Sequence, residues 1–570
     1  MHSCNNIITI VLFSLVSLLL YHHHGVLVNA IPCTHPVYCT GQLLETVQLA
    51  QVFNDSKTFV DMPLRQSPEL VLSSFQQLLA NTSNEGGPNK QQLTDFINTY
   101  FYPAGYEVQA ATPVDWIPHP RFLSHIKDPQ LKMFGEAVHK MWNDLYRVFN
   151  HTGLCQDCYT SVQVENPFII AGSRFREFYY WDSYWMVIGL LVSEMTATVR
   201  GMIANDLALI QLYGFVPNGG RIYYSDRSQP PLLTQMVERY FDATNDVSIL
   251  EQGLPTLDAE YQFWMTQRSV NVKGFKLNLY NATTPSPRPE SFYEDYTMAQ
   301  SLPVGADQTF FYSSIASAAE SGMDFSTRWM KPGSMDLETI ETIEIVPVDL
   351  NSILYRNELT LARFHLALGN SPMHAYYKNQ ASQRAKAINS VFWDPVNLQW
   401  FDYHLDTNQL QTEYYITNFH PLWAKVYQED PITFNSTVLS NILNKARPIF
   451  MNFVGGVPTS LINSGQQWDF PNAWAPLEYF LVEGLLATEL VDGKMMAFDM
   501  VERWITTNYC GWQETLQSNG GVLFEKYNVT DIGLPGGGGE YAVQTGFGWS
   551  NGFALNLLSK YGNTITLRSC

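Results

Sequence analysis

The chain has 570 residues, of which 46% are hydrophobic and 14% aromatic, and its formal net charge is -20 at pH 7. This length allows roughly two to four domains or one large barrel, and the composition is that of a globular protein rather than a disordered one. The acidity argues against nucleic-acid binding and disfavours anionic substrates such as sugar phosphates, because the protein would repel their negative charges. A neutral ligand is therefore expected.

The N-terminal end carries the apolar run IITIVLFSLVSLLLY, followed by small residues at Val28 and Ala30. This pattern is typical of a secretory signal peptide, so residues 1–30 are predicted to be a cleaved leader and the protein is expected to be secreted. Because no Lys or Arg precedes the run, an uncleaved membrane anchor is the alternative. The C-terminal sequence NTITLRSC does not have the pattern of a lipid anchor, and no such anchor is expected.

Six cysteines follow the leader, namely Cys33, Cys39, Cys155, Cys158, Cys510 and Cys570. An even number in a secreted chain indicates disulfides, although the sequence alone does not fix the pairing. Zinc binding at CQDC is the alternative, and it is disfavoured because no second cysteine pair has matching spacing.

Sequons for N-glycosylation also suit passage through the secretory route. They stand at Asn54, Asn81, Asn150, Asn281, Asn435 and Asn528. Asn281 and Asn528 lie close to segments assigned below to the active site, so these two are not expected to carry glycans.

Residues 31–165 are irregular and rich in turns, with modest helical runs such as MFGEAVHKMWNDLYRVF, and they are predicted to form a segment that wraps around the rest. Helical patterns dominate residues 166–570. In the run DQTFFYSSIASAAESG, for example, Phe311, Ile315 and Ala318 recur on one face. Several helices end in long connections rich in Gly, Pro and Asn, which predicts an all-α barrel of helix pairs with its chemistry in the loops at one end.

The stretch AGSRFREFYYWDSYW, residues 171–185, combines seven aromatic and four charged side chains without separating them into faces. A surface helix normally segregates its apolar stripe from its charges. Two interpretations follow: an aromatic core helix with satisfied ion pairs, or a polar site with aromatic walls.

The long connections add further charged and aromatic residues of the kind that bind sugars, whose hydroxyls suit carboxylates and arginine forks and whose C–H faces pack on rings. They include Arg174, Asp182, Arg227, Arg288, Glu290, Asp324, Glu525 and Glu540 with Trp181, Tyr223, Tyr293, Trp329, Trp468, Trp474 and Trp549. No HExxH, GxSxG, Walker A or strand-associated GxGxxG motif is present, so neither a metal nor a cofactor is expected. The run PGGGGE is either a flexible linker or, as we favour, a mobile lid over the site.

Eight segments resemble the trehalase family of glycoside hydrolases. AGSRFREFYYWDSYW is similar to the first signature of this family and QWDFPNAWAP to the second, and PNGGR, RSQPP, RPES, ESGMDFSTRW, EKYN and GGGGEY match further family segments in the expected order. The resemblance covers residues 45 to 565. Ala171, Ser173 and Met323 depart from the usual Pro, Gly and Trp, but the charged positions are retained.

This resemblance implies an (α/α)6 toroid over residues 166–570 that hydrolyses α,α-trehalose to two glucose molecules with inversion and without a metal. It implies that Asp324 is the general acid and Glu525 the general base. The implied substrate contacts are Arg174, Trp181, Asp182, Asn218, Arg227, Ser228, Gln229, Arg288, Pro289, Glu290 and Gly322, whereas Arg328 is expected to be structural. A toroidal α-glucosidase for another disaccharide and an inactive sugar-binding protein are the alternatives, and the sequence leaves the oligomeric state open.

Overall fold

The computed structural model describes residues 33–570, and the predicted signal peptide, residues 1–30, lies outside the described residues. The α-helices of the described part are α1 (Gln42–Leu49), α2 (Lys57–Val60), α3 (Pro68–Thr82), α4 (Lys90–Tyr100), α5 (Phe122–His125), α6 (Pro129–Leu145), α7 (Asp182–Val192), α8 (Thr196–Tyr213), α9 (Leu233–Thr244), α10 (Val247–Gln267), α11 (Phe292–Ser301), α12 (Gln308–Glu320), α13 (Val348–Ala367), α14 (Ser371–Val391), α15 (His420–Ala424), α16 (Ser436–Phe450), α17 (Ala475–Ala487), α18 (Val491–Asn519) and α19 (Gly548–Tyr561).

The strands are short, with two to four residues each. They are β1 (Val108–Ala110), β2 (Tyr146–Phe149), β3 (Phe168–Ile169), β4 (Ser269–Val272), β5 (Phe275–Asn278), β6 (Ile345–Val346), β7 (Trp393–Asp394), β8 (Gln399–Trp400), β9 (Tyr403–His404), β10 (Gln409–Leu410), β11 (Asn472–Trp474) and β12 (Lys526–Asn528). All named pairs are antiparallel, and β11 pairs with β12 so that Trp474 lies opposite Lys526.

Six helices form a closed inner ring. In ring order they are α7, α9, α13, α15, α17 and α19, and α19 packs back against α7. The sequence explains their place, because a helix that is hydrophobic on all sides must be buried. Every residue of α7 from Asp182 to Leu190 is buried, for example, and Gly189 allows the close approach of α19 at Gly552.

An outer layer of six helices alternates with the inner ring along the chain and consists of α6, α8, α10, α14, α16 and α18. Most of them pack against inner helices, and α16 packs against α18. Helix α6 lies within the segment predicted to wrap the barrel, yet it packs against α19, where Gly135 faces Leu558, and its Phe134 ring contacts Tyr509 and Trp512 of α18. The two layers form an (α/α)6 toroid, so the predicted all-α fold class is confirmed.

A buried charge network ties the N-terminal segment to the barrel. The Lys57 ammonium lies 2.7 Å from both Asp61 and Glu177, and Arg221 contacts Glu177 at 2.9 Å and Glu107 at 2.6 Å. All five side chains are almost fully buried. Because burying an unpaired charge is very unfavourable, each of these groups requires its partners from the other part of the chain.

Three disulfides join Cys33 to Cys39, Cys155 to Cys158, and Cys510 to Cys570. The prediction of disulfides is therefore confirmed, and the structure supplies the pairing that the sequence left open. Along residues 33–570, no helix has the length and apolar character needed to cross a membrane.

Candidate active site

A cavity lies where the long connections meet the N-terminal ends of α7, α9, α17 and α19, and it encloses about 660 Å3 of space, part of which is open to solvent. Eleven of the thirteen predicted site residues line it, namely Arg174, Trp181, Asp182, Asn218, Arg227, Gln229, Arg288, Glu290, Gly322, Asp324 and Glu525. Side chains that the sequence separates by up to about 350 positions therefore converge on one space.

The other two predicted residues, Ser228 and Pro289, are not part of the cavity wall. The Ser228 amide donates to Glu320 Oε1 at 3.0 Å and its hydroxyl to the Val216 carbonyl at 2.7 Å. The Pro289 carbonyl accepts a hydrogen bond of 3.1 Å from Gln48. Both residues thus support their neighbours in the wall, and a direct contact with substrate stays a prediction for them.

Asp324 lies in the turn that follows α12. Gly322 precedes it at φ 74°, in the left-handed region that favours glycine, and a Cβ there would approach the Trp181 ring to 2.6 Å. Glycine therefore lets the turn pack directly on the tryptophan. The Gln467 side chain donates a hydrogen bond to the Asp324 carbonyl oxygen and fixes the turn from the other side.

Burial raises the pKa of Asp324 to about 6, and the negative charge of Glu525 acts in the same direction, while Arg288 and Arg227 oppose the shift. A carboxyl group with such a pKa carries a proton for part of the time near neutral pH. Asp324 can therefore donate a proton, which is the chemistry required of a general acid.

Glu525 comes immediately before β12, and its carboxylate is held from several directions. The Tyr541 hydroxyl donates to Oε1 at 2.9 Å, and the Gln544 amide lies 3.4 Å from Oε2. The Lys526 ammonium lies 3.8 Å from Oε2. Burial raises the pKa of Glu525, whereas Lys526, Tyr541 and Gln544 lower it, so these partners favour the ionised form that a general base needs.

Asp182, in the first turn of α7, is a third carboxyl group in the cavity. Burial raises its pKa well above the usual range, and the charges of Glu525 and Asp324 add to the shift. The three acids interact, so ionisation of one disfavours ionisation of the others. This arrangement suits a cavity in which one carboxyl group holds a proton while another is ionised.

Three arginines line the cavity, each paired with an acid. Arg227 Nη2 lies 2.5 Å from Glu290 Oε1, and Arg288 lies 2.7 Å from Asp295. Arg227 Nη1 and Glu290 Oε2 are buried without a hydrogen-bond partner. Buried polar atoms in native proteins are nearly always satisfied, so these two atoms are suited to ligand hydroxyl groups.

The third arginine, Arg174, forms a two-point ion pair with Asp55 of the N-terminal segment, with distances of 2.6 and 2.8 Å. Its guanidinium lies 4.8 Å from the centre of the Tyr541 ring. Four tryptophans line the wall together with Phe175 and Phe547, and two of them, Trp468 and Trp474, stack with ring centres 3.7 Å apart. Ring faces of this kind pack against the C–H faces of sugars.

Both interpretations of the stretch at residues 171–185 apply, each to a part of its residues. Arg174, Trp181 and Asp182 line the cavity. In contrast, Glu177 points into the buried charge network, and the Tyr180 hydroxyl bonds to Glu260 at 2.5 Å in the protein interior. The charges are unsorted because some face the cavity and others are satisfied inside the fold.

Several residues of the site were missed by the sequence analysis. Tyr541 follows the predicted lid and contacts Glu525, and its position beside GGGGE was the only sequence signal for it. Gln467 and Lys526 stand in the motifs QWDFPNAWAP and EKYN, but their contact with each other, like the contact of Asp55 with Arg174, joins distant positions and has no local signal. In the part of the chain that the structure describes, no group of three or more His, Cys, Asp or Glu is arranged to hold a metal ion.

Comparisons with known proteins identify the family to which this chain is similar. The family model described as Trehalase matches residues 51–562. A trehalase of Dictyostelium discoideum is 53% identical over 548 residues, covering 94% of this chain and 92% of the relative, and a trehalase of Homo sapiens is 42% identical over 542 residues, covering 94% and 91%. The neutral trehalase of Saccharomyces cerevisiae, a solved structure, aligns with a TM-score of 0.55 and 25% identity over 69% of this chain and 73% of that chain.

The family model spans nearly the whole described chain, and the two relatives match this chain over almost their full length. The matched region includes Asp324, Glu525 and all three cavity arginines. On these grounds the chain belongs to the trehalase family.

Proposed function

We propose that this protein hydrolyses α,α-trehalose to two glucose molecules by an inverting mechanism. The observation that supports it most strongly is the presence of Asp324 and Glu525 in one cavity lined by tryptophans and arginines. Inverting glycosidases use one protonated carboxyl group and one carboxylate on opposite sides of the scissile bond. The relatives named as trehalases support the choice of substrate.

Asp324 is the proposed general acid. It protonates the glycosidic oxygen as the bond to the anomeric carbon breaks, so the first glucose leaves as a neutral alcohol. The raised pKa of about 6 supports this role, because the proton must be held in the Michaelis complex yet be released easily in the transition state.

Glu525 is the proposed general base. It accepts a proton from a water molecule that attacks the anomeric carbon from the face opposite the leaving oxygen, which inverts the configuration. Tyr541 and the Gln544 amide fix the carboxylate in one orientation, so little reorganisation is needed when the water is activated.

The remaining wall binds the two sugar rings. Arg174, Arg227 and Arg288 are the proposed donors to hydroxyl groups, and Asp182 and Glu290 are the proposed acceptors. A neutral polyhydroxyl ligand suits a wall in which every arginine already has a carboxylate partner, because a ligand charge would lack compensation.

We also propose that the protein is secreted. The three disulfides support this, since such bonds persist in oxidising compartments, and the sequons at Asn54, Asn81 and Asn435 are exposed. Secretion can be checked by expressing the full chain in a eukaryotic host and determining the N-terminus and glycan content of the protein in the medium.

The experiment that tests the proposed activity is incubation of purified protein with trehalose, maltose and kojibiose while 1H NMR follows the glucose anomers. We expect glucose from trehalose, with one β-anomer and one α-anomer formed at early times. Early release of α-glucose alone would exclude inversion. Preferred cleavage of maltose or kojibiose would point to another α-glucosidase, and binding of trehalose without cleavage would point to a sugar-binding protein.

A further inference from the structure

Lys526 is a buried cation beside the proposed base. Its side chain is fully inaccessible, and its ammonium donates a hydrogen bond of 2.7 Å to Gln467 Oε1 while lying 3.8 Å from Glu525 Oε2. The rings of Trp474 and Tyr541 lie 4.9 and 5.5 Å from the same nitrogen. A lysine is rarely buried unless it is paired, and this one lies beside three residues of the cavity wall, Glu525, Trp474 and Tyr541.

Gln467 holds the lysine in place and also contacts the segment that carries the acid. Its side-chain nitrogen donates to the Asp324 carbonyl, which leaves its side-chain oxygen free to accept from Lys526. Its backbone carbonyl accepts hydrogen bonds from Asn472 at 2.9 Å and from Trp474 at 3.1 Å. The glutamine is therefore fixed at both ends and connects the Asp324 turn to strand β12.

We propose that Lys526 is a positioning residue that Gln467 holds beside Glu525, so that its positive charge keeps the general base ionised and in place. The proposal rests on the assignment of Glu525 as the base of the proposed hydrolysis. Neither residue would bond to the substrate in this role, because Lys526 acts through Glu525 and Gln467 acts through Lys526.

The charges around Glu525 explain why a dedicated cation is required. Two other carboxyl groups, Asp182 and Asp324, interact with it unfavourably. Lys526 and Arg174 interact favourably, and Tyr541 donates its hydroxyl group. Because Arg174 is already paired with Asp55, Lys526 is the cation that is left to balance the charge of the base. An opposite charge within about 4–6 Å typically lowers the pKa of a carboxyl group by 1–3 units.

The test is the pH profile of kcat/KM for trehalose hydrolysis by the wild-type protein and the Lys526→Met variant. Glu525 must be ionised to act, so activity falls on the acidic side as it gains a proton. Removal of the lysine charge should move this acidic limb up by about one pH unit or more, so that kcat/KM at a pH on the wild-type acidic limb falls about tenfold. The Lys526→Arg variant retains the charge and should bring the limb back toward its wild-type position.

Lys494→Met is the matched control, since Lys494 is exposed on the surface of α18, and its profile should coincide with that of the wild type. Gln467→Met gives a second test should the Lys526 variants fail to fold, as judged by circular dichroism. Loss of the glutamine acceptor should shift the same limb in the same direction by a smaller amount. The expected shift of the acidic limb is therefore largest in Lys526→Met, smaller in Gln467→Met and absent in Lys494→Met, which differs from a general loss of activity.

An acidic limb that stays in place in the folded Lys526→Met variant, or in Gln467→Met if only that variant folds, would overturn the proposal. That result leaves the proposed function intact, because the wild-type protein would still release inverted glucose from trehalose. Failure of the wild type to cleave trehalose would instead overturn the function itself and, with it, the role given to Lys526. The two failures are therefore distinguishable from the wild-type measurement alone.

Discussion

Arg174 and Asp55 form a two-point ion pair, Nε to Oδ2 at 2.6 Å and Nη2 to Oδ1 at 2.8 Å, that joins the N-terminal segment to the wall of the catalytic cavity. The planar fork of arginine matches the two oxygens of a carboxylate, so this geometry fixes the guanidinium in one plane. The ion pair lowers the pKa of Asp55 against the opposing effect of burial, so the pair stays charged at neutral pH. The N-terminal segment thus takes part in the proposed function.

The first prediction is that Asp55→Asn raises the KM for trehalose about tenfold while kcat changes by less than about threefold. The amide keeps the size of the side chain but cannot accept two hydrogen bonds from the guanidinium, so Arg174 loses its fixed position for binding. Steady-state kinetics measure both constants. Asp95→Asn, on the exposed surface of α4, is the control and should leave them unchanged; an equal response of the two variants would refute this role for Asp55.

The second prediction concerns the catalytic pair. Asp324→Asn and Glu525→Gln should each lower kcat about a thousandfold, because each removes a proton transfer that the reaction requires. Circular dichroism should show an unchanged fold. Glu514→Gln, an exposed position in α18, is the matched control with wild-type activity. Residual activity above about a tenth of the wild-type value in either cavity variant would show that its assigned role is wrong.

The third prediction is a decline of kcat/KM as the pH rises above about 6. The proposed role of Asp324 requires its protonated form, and its pKa of about 6 means that the protonated fraction falls tenfold for each further pH unit. The profile of the free enzyme can be measured with trehalose well below its KM. If the Glu525→Gln variant keeps enough activity to be measured, its kcat/KM should still decline above about pH 6. Loss of this decline in the variant would show that it reports the titration of Glu525 and not of Asp324.

The fourth prediction is that Asp324→Asn stabilises the protein at pH 7. The pKa of Asp324 is raised from the ordinary value of 3.8 to about 6 in the folded protein. Between pH 3.8 and about pH 6 the folded state therefore binds more protons than the unfolded state, so stability is lost as the pH rises through this range. The neutral amide avoids this loss, and the free energy of unfolding should increase by roughly 1–3 kcal/mol. Urea unfolding at pH 7 and pH 4 measures it; a gain that persists at pH 4 would contradict this explanation.

The fifth prediction separates a structural arginine from those of the cavity. Arg328 is fully buried between Asp349 and Asp402, with hydrogen bonds of 2.6 to 3.0 Å to both. Arg328→Met would leave two buried carboxylates without their cation, which should cost about 3–5 kcal/mol of unfolding free energy. In the control, Arg447→Met breaks a half-exposed pair with Asp492, and the expected cost is about 1 kcal/mol or less. Similar losses in urea unfolding would argue against the structural role.

The sequence by itself determined the helical character of the protein and the identity of most cavity residues. Apolar positions repeated at helical spacing predict helices because the pattern is local, as Phe311, Ile315 and Ala318 of α12 illustrate. The charged residues of the site could be predicted because each stands in a short motif, such as RPES or GMDFS, that resembles a segment of the trehalase family. The acidic net charge favours a neutral ligand, since net charge is a property of composition.

Only the tertiary structure decided how these residues act on one another. Asp55 and Arg174 are 119 positions apart, and Lys526 and Gln467 are 59 apart, so neither pair leaves a trace in the local sequence. The cysteine pairing and the place of α6 in the outer layer were likewise set by packing. The physical reason is that burial and the distances between charges depend on which distant segments the toroid brings together, and these two quantities set the pKa of Asp324 and the environment of Glu525.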